Sequence, residues 1–100
     1  MDLGLRDKTA LVTGGSKGIG RAVALALAEE GCHLHLAART QADLDAVKAE
    51  IGGRHNVSVT VHAVDLSNGD AVRALAADCG NLDILVNNAG AIPGGDLQAI

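Results

Sequence analysis

T-A-L-V-T-G-G-S-K-G-I-G, residues Thr9 to Gly20, runs from a short apolar, β-forming stretch through a glycine-rich turn into a helical pattern. Thr9 to Thr13 predicts a buried strand ended by Gly14 and Gly15. Gly18 to Glu30 then carries Ala22, Val23, Leu25, Ala26 and Leu27, with Gly31 as a left-handed stop. A helix apolar around so much of its circumference is expected to be buried on more than one side. The turn between them has its own chemistry. Unpaired N–H groups at a helix start attract a phosphate, and glycines let the backbone approach it. Gly14 is placed to make the tight turn, Gly18 to permit close approach of a pyrophosphate, and Gly20 to let helix and strand pack closely. A plain connection softened by glycines is the alternative; three glycines at the first turn of a βαβ unit favour the phosphate site.

The pattern continues outward with alternating periods. Cys32 to Ala38 predicts a second strand, and Thr40 an N-cap for a helix through Leu44, Val47 and Ile51 to Gly52 and Gly53. Val57 to Val64 predicts a third strand whose alternation implies one less deeply buried face. Ser67 or Asn68 caps a third helix carrying Val72, Leu75, Ala76 and Cys79 on one face, ending near Gly80, and Asp83 to Val86 predicts a fourth strand. Strands separated by helices, joined by right-handed crossovers, give an α/β class: a doubly wound, Rossmann-type parallel sheet covered on both faces, in one domain.

The 100 residues are 48% apolar yet include no Phe, Tyr or Trp, so the core must be aliphatic. One such core is all this length supports. A formal net charge of −4, with no basic block, argues against a nucleic-acid partner. No run of 18 apolar residues or signal peptide is recognisable, so no membrane partner and a cytoplasmic location are expected. Cys32 and Cys79 are isolated and are expected to be small buried hydrophobes.

The spacing of the turn, Gly14-x-x-x-Gly18-x-Gly20, departs from the usual G-x-G-x-x-G and resembles the T-G-x-x-x-G-x-G loop of short-chain dehydrogenases/reductases. Asn87-Asn88-Ala89-Gly90 after the fourth strand matches that family's N-N-A-G, and Asp65-Leu66 follows the third strand where the family has an Asp and an apolar residue. The resemblance runs from about Leu5 onward and covers less than half of the family's domain. It implies strand order 3-2-1-4 here, pyrophosphate contacts from Gly14, Ser16 and Ile19, adenine contacts from Asp65 and Leu66, and ribose contacts from Asn88, Ala89 and Gly90. For Asp65, a solvated residue capping the next helix is the plainer alternative.

A carboxylate ending the second strand would bind the ribose hydroxyls of NAD(H). That position is Ala38, followed by Arg39 and Thr40. A small neutral residue leaves room for a 2′-phosphate, Arg39 offers paired donors, Thr40 a hydroxyl, and Lys17 in the loop a second positive charge. NADP(H) is therefore the expected cofactor.

The resemblance further implies hydride transfer between NADP(H) and a small-molecule carbonyl or alcohol, in a homotetramer or homodimer. The family's catalytic Tyr-x-x-x-Lys has no counterpart, because the chain has no Tyr, so no catalytic residue is assigned. The sequence is expected to be a truncated, cofactor-binding portion, whose apolar fourth strand would leave an isolated 100-residue product aggregated or partly unfolded. An NADP(H)-binding redox sensor or regulatory module without turnover is the alternative; a downstream Tyr-x-x-x-Lys separates the two. Residues Ala91 to Gly95 offer one rim of a substrate pocket or a plain turn. His33 and His35 share a strand face, with His62 on the next strand and His55 near a turn; no third metal ligand is recognisable, so no metal is expected.

Overall fold

The computed structural model describes residues 4–14 and 18–87, and the elements alternate along them. They are β1 (Thr9–Thr13), α1 (Gly18–Glu29), β2 (His33–Ala38), α2 (Gln41–Gly52), β3 (Val59–Ala63), α3 (Gly69–Cys79) and β4 (Ile84–Asn87). The strands form one parallel sheet in the order β3-β2-β1-β4. That is the topology expected of consecutive βαβ units.

The order follows from where the apolar side chains go. Side chains alternate across a strand, so β1 sends Ala10 and Val12 to one face and Leu11 to the other. On the first face they join Leu34 and Leu36 of β2, Ala24 and Ala28 of α1, and Leu44, Val47 and Ile51 of α2. On the second face Leu11, Ala37 and Leu85 pack with Leu75 and Cys79 of α3. Helices α1 and α2 cover one side, and α3 crosses beneath the other to bring the chain from β3 to β4.

Helix α1 departs from expectation. Only the i, i+4 stripe of Gly20, Ala24 and Ala28 is buried, while Ala22 and Ala26 are exposed and Val23, Leu25 and Leu27 are half-buried. Small residues on that stripe let the helix axis lie close to the sheet, so a narrow strip suffices to bury it. Gly31 takes φ +87, as a left-handed stop requires.

Strand ends shift slightly. Strand β3 is two residues shorter at its start than the alternation implied, and none of it is fully buried, as suits an edge strand paired only with β2. Strand β4 begins at Ile84 because Asp83 closes the register from outside: its N–H donates to the Thr9 carbonyl at 2.9 Å, and its carboxylate accepts from the Thr9 N–H at 2.9 Å. Asn68 is the cap of α3, its side-chain oxygen accepting from the N–H groups of Asp70 and Ala71. Thr40 occupies the corresponding position before α2 in extended conformation but makes no capping bond with its hydroxyl.

Candidate functional site

The carboxyl ends of parallel strands, where chains leave for helices on opposite faces, form a crevice in such sheets. Here β1 ends at Thr13 and β2 at Ala38, next to each other in the pairing register. Gly14, just past β1, takes φ +70, and its N–H donates to the Ala37 carbonyl at 2.7 Å. That amide is spent on holding the turn against β2. What Gly14 offers a ligand is the absence of a side chain.

Gly18 opens α1 at φ +58, and a Cβ built there would meet none of the described residues within 4 Å. It stands at a helix start whose first N–H groups have no partner within the helix. Ile19 in the same turn is 73% exposed, the one large hydrophobic so exposed among the described residues. Gly20 is buried at the start of the α1 stripe.

Arg39 and Asp65 follow adjacent strands and come together at 3.7 Å, both largely exposed. Asp65 is more constrained than the sequence implied. Its Oδ1 accepts from the Ser67 hydroxyl at 2.6 Å and the Ser67 N–H at 3.0 Å, while its carbonyl accepts from the Asn68 N–H at 3.1 Å. The Ser67 hydroxyl, then the Ser67 N–H, and beside them the Arg39 guanidinium hold the Asp65 carboxyl below its ordinary range. It is an anion that orders the β3–α3 turn and leans on Arg39. Leu66 is half-buried on the α3 side of the sheet. Thr40 is exposed beside Arg39. Ser16, Lys17, Asn88, Ala89 and Gly90 lie outside the described residues, as do Ala91 to Gly95.

Two contributions escaped the sequence reading. Thr13, fully buried, places its hydroxyl 2.9 Å from Asn87 Oδ1 and 3.4 Å from the Val86 carbonyl, pinning β1 to β4 where the glycine turn begins. A polar residue ending an otherwise apolar strand was the available signal. Thr13→Val is expected to cost about 1–2 kcal/mol, the scale of one buried hydrogen bond, seen as a lower urea midpoint with unchanged slope for the full-length protein. An unchanged midpoint would remove the pin. The second is a cluster: His35 Nδ1 lies 2.9 Å from His62 Nε2, and Cys79 Sγ lies 4.0 Å from the same nitrogen. Cys79 is the third candidate ligand that the histidine spacing alone did not reveal. Both Cys32 and Cys79 are free thiols in buried positions.

With this geometry in place, comparison with known proteins is informative. The sequence profile of the short chain dehydrogenase family matches residues 8–100. The chain is 46% identical over 89 residues to L-xylulose reductase of Mesocricetus auratus, covering 89% of this chain and 34% of that protein. It is 42% identical over 88 residues to D-erythrulose reductase of Gallus gallus, covering 88% and 34%. The chain thus spans about a third of the length of these curated relatives. Among solved structures, L-sorbose reductase from Gluconobacter frateurii, complexed with NADPH and L-sorbose, superposes with a TM-score of 0.84 at 39% identity, covering 91% of this chain and 36% of that one. A metagenomic short-chain oxidoreductase in complex with NADP gives 0.79 at 43% identity, covering 87% and 41%. The parallel sheet in the order β3-β2-β1-β4, the glycine turn at its carboxyl edge and the match over residues 8–100 agree, and the chain belongs to the short-chain dehydrogenase family.

Proposed function

We propose that this chain is the cofactor-binding portion of an NADP(H)-dependent oxidoreductase that interconverts a carbonyl and an alcohol by hydride transfer. The observation carrying the cofactor assignment is the pair Ala38 and Arg39 at the end of β2: a small neutral residue where NAD(H) binding wants a carboxylate, followed by an exposed guanidinium. The described residues fit a phosphorylated dinucleotide. Gly18 projects no atom into the space before α1, and the N-terminus of that helix carries the partial positive charge a pyrophosphate needs.

In this reading Gly14 shapes the turn against the pyrophosphate, Ser16 and Ile19 contact it, Gly18 permits its close approach, and Gly20 seats the helix on β1. Arg39, with Thr40 and Lys17, holds the 2′-phosphate; Asp65 and Leu66 flank the adenine, and Asn88, Ala89 and Gly90 the ribose. Arg39 stands 3.7 Å from the Asp65 carboxylate in a solvent-exposed pair, weak enough for a phosphate to draw the guanidinium away. When bound, the nicotinamide supplies or accepts the hydride. The chain's own residues bind and orient.

Support from relatives is consistent: L-sorbose reductase is described with NADPH and L-sorbose, and other relatives are named as reductases of L-xylulose and D-erythrulose. The test uses the full-length protein with NADPH or NADH and those three ketoses among a panel of carbonyl compounds, following loss of the reduced cofactor. NADPH-dependent turnover of at least one carbonyl is expected. Tight NADPH binding with no turnover across a broad panel would instead favour a regulatory module, and absence of cofactor binding would overturn the assignment altogether.

A further inference from the structure

We propose that His35, His62 and Cys79 form a binding site for one divalent transition-metal ion of the zinc class, with three protein ligands and an open fourth position. The residues come from three elements. His35 lies in the middle of β2, His62 is the penultimate residue of β3, and Cys79 is the last residue of α3. Strand alternation puts both histidines on the sheet face that α3 covers, because His35 has the same parity as Ala37, which packs with Leu75 and Cys79.

The distances are those of a site that small side-chain movements bring to coordination. The three donor atoms lie within 4.8 Å of one another. A tetrahedral zinc ion, with Zn–N of about 2.0–2.1 Å and Zn–S of about 2.3 Å, sets its ligand atoms roughly 3.4 Å apart for two nitrogens and roughly 3.6 Å for nitrogen and sulfur. His62 Nε2 is 2.9 Å from His35 Nδ1, too close, and 4.0 Å from Cys79 Sγ, too far. Both errors are about half an ångström by the same zinc geometry, and a shift of the His62 ring toward Cys79 reduces both; the remaining pair, His35 and Cys79, within 4.8 Å, closes when the Cys79 side chain also swings in. The rings are already near parallel, with centroids 5.2 Å apart.

The chemistry of the donor set agrees. Two imidazoles and a thiol suit a borderline-soft ion and do not suit calcium or magnesium, which take oxygen ligands. Burial favours the neutral, ligand form of both histidines, and for His35 the neighbouring His62 adds to it. The Cys79 thiol is pushed up to about 11 by burial and by Asp78, so without a metal it keeps its proton. On binding, the Cys79 S–H bond breaks, a sulfur–metal bond forms, and that proton leaves to solvent. The N–H shared between the histidines moves to a ring nitrogen not facing the metal, with no net change. Asp78, which interacts electrostatically with both His62 and Cys79, partly offsets the remaining positive charge.

Such an ion would clip the edge strand β3, whose side chains are only partly buried, to β2 and α3. Strands β2 and β3 lead into Arg39 and Asp65. The function assigned is therefore structural, and it does not depend on the cofactor reading.

The experiment is titration of the chelator-treated, full-length protein with Co²⁺ alone. One equivalent is expected to give the intense visible bands of tetrahedral cobalt and a thiolate-to-cobalt charge-transfer band, both displaced by Zn²⁺. His35→Gln and His62→Gln should each weaken cobalt binding by at least about tenfold, the scale on which even outer partners of a ligand act, with unchanged far-ultraviolet circular dichroism. Cys32→Ser should keep the charge-transfer band. Absence of that band in the unsubstituted protein, its loss in Cys32→Ser, or cobalt affinity unchanged in a folded His35→Gln or His62→Gln variant would overturn the site and leave a hydrogen-bonded histidine pair packed on a thiol. If neither histidine variant folds, the unsubstituted and Cys32→Ser spectra decide alone: the band in both supports the site, and its absence from either overturns it.

Discussion

Replacing Ala38 and Arg39 together with aspartate is expected to change the ratio of NADPH to NADH dissociation constants by at least about 100-fold in favour of NADH, or roughly 2.7 kcal/mol. Arg39 is exposed, so water screens its contact with a 2′-phosphate; one charge-assisted hydrogen bond contributes about 1.5–3 kcal/mol at most. Removing it accounts for part of the change. The rest comes from carboxylates that repel the phosphate and offer the free ribose hydroxyls of NADH the acceptor they otherwise lack. Arg39→Ala should show the first effect alone: weaker NADPH binding with NADH little changed. Arg39 is exposed, so Arg39→Ala is expected to leave the fold intact, whereas Ala38 is half-buried against the edge of the core, so a thermal melt accompanies the double variant. Binding of both cofactors, followed by fluorescence, checks this. An unchanged ratio in the double variant would remove the 2′-phosphate from this corner.

Gly18→Val is expected to weaken NADPH and NADH alike by about 100-fold or more while leaving their ratio near that of the unsubstituted protein. Two causes act together. Gly18 sits at φ +58, where a β-branched residue is strained by about 1–3 kcal/mol. Its added methyl groups would also enter the space before α1, where the phosphates are proposed to lie. No described residue is displaced by a Cβ there, so the effect on binding should exceed the effect on folding. Gly18→Ala separates the causes, keeping much of the strain while adding a single carbon. Calorimetric titration together with a thermal melt is the check. Retention of both affinities within about threefold, or roughly 0.65 kcal/mol, would mean that the glycine turn does not hold the phosphates.

The two variants probe different parts of one crevice and should fail differently. Charge reversal after β2 alters which cofactor binds. Obstruction at the start of α1 alters whether either binds. A result in which Gly18→Val changed the ratio would place the turn, rather than Arg39, at the distinguishing phosphate.

Much of this was legible in the chain itself. Gly14, Gly18 and Gly20 mark the turn because glycine takes φ near +70 and +58 without strain and leaves room at a helix face pressed onto a strand. Gly31 and Asn68 mark a helix end and a helix start for equally local reasons. The apolar runs of β1 and β2 announced buried strands, and the alternation of β3 a strand with one less deeply buried face; that it is an edge, with no residue fully buried, came from the structure. Errors arose where neighbours overrule local pattern. The Ala-rich α1 looked as though it should be buried all round, yet the sheet takes only its narrowest stripe.

What the sequence by itself determined, then, is the succession of elements, the parallel sheet they must form, and the position of the glycine turn and of Ala38 and Arg39 beside it. These depend on side-chain period, chirality and backbone freedom, which act over a few residues at a time. Only the tertiary structure decided that Asp65 would lean on Arg39, that Thr13 would be pinned to Asn87 across 74 residues, and that Cys79 would join His35 and His62. Such meetings depend on strand order and register, which bring distant positions within 4 or 5 Å. No local pattern encodes them, because each partner's own surroundings look the same whether or not the other is there.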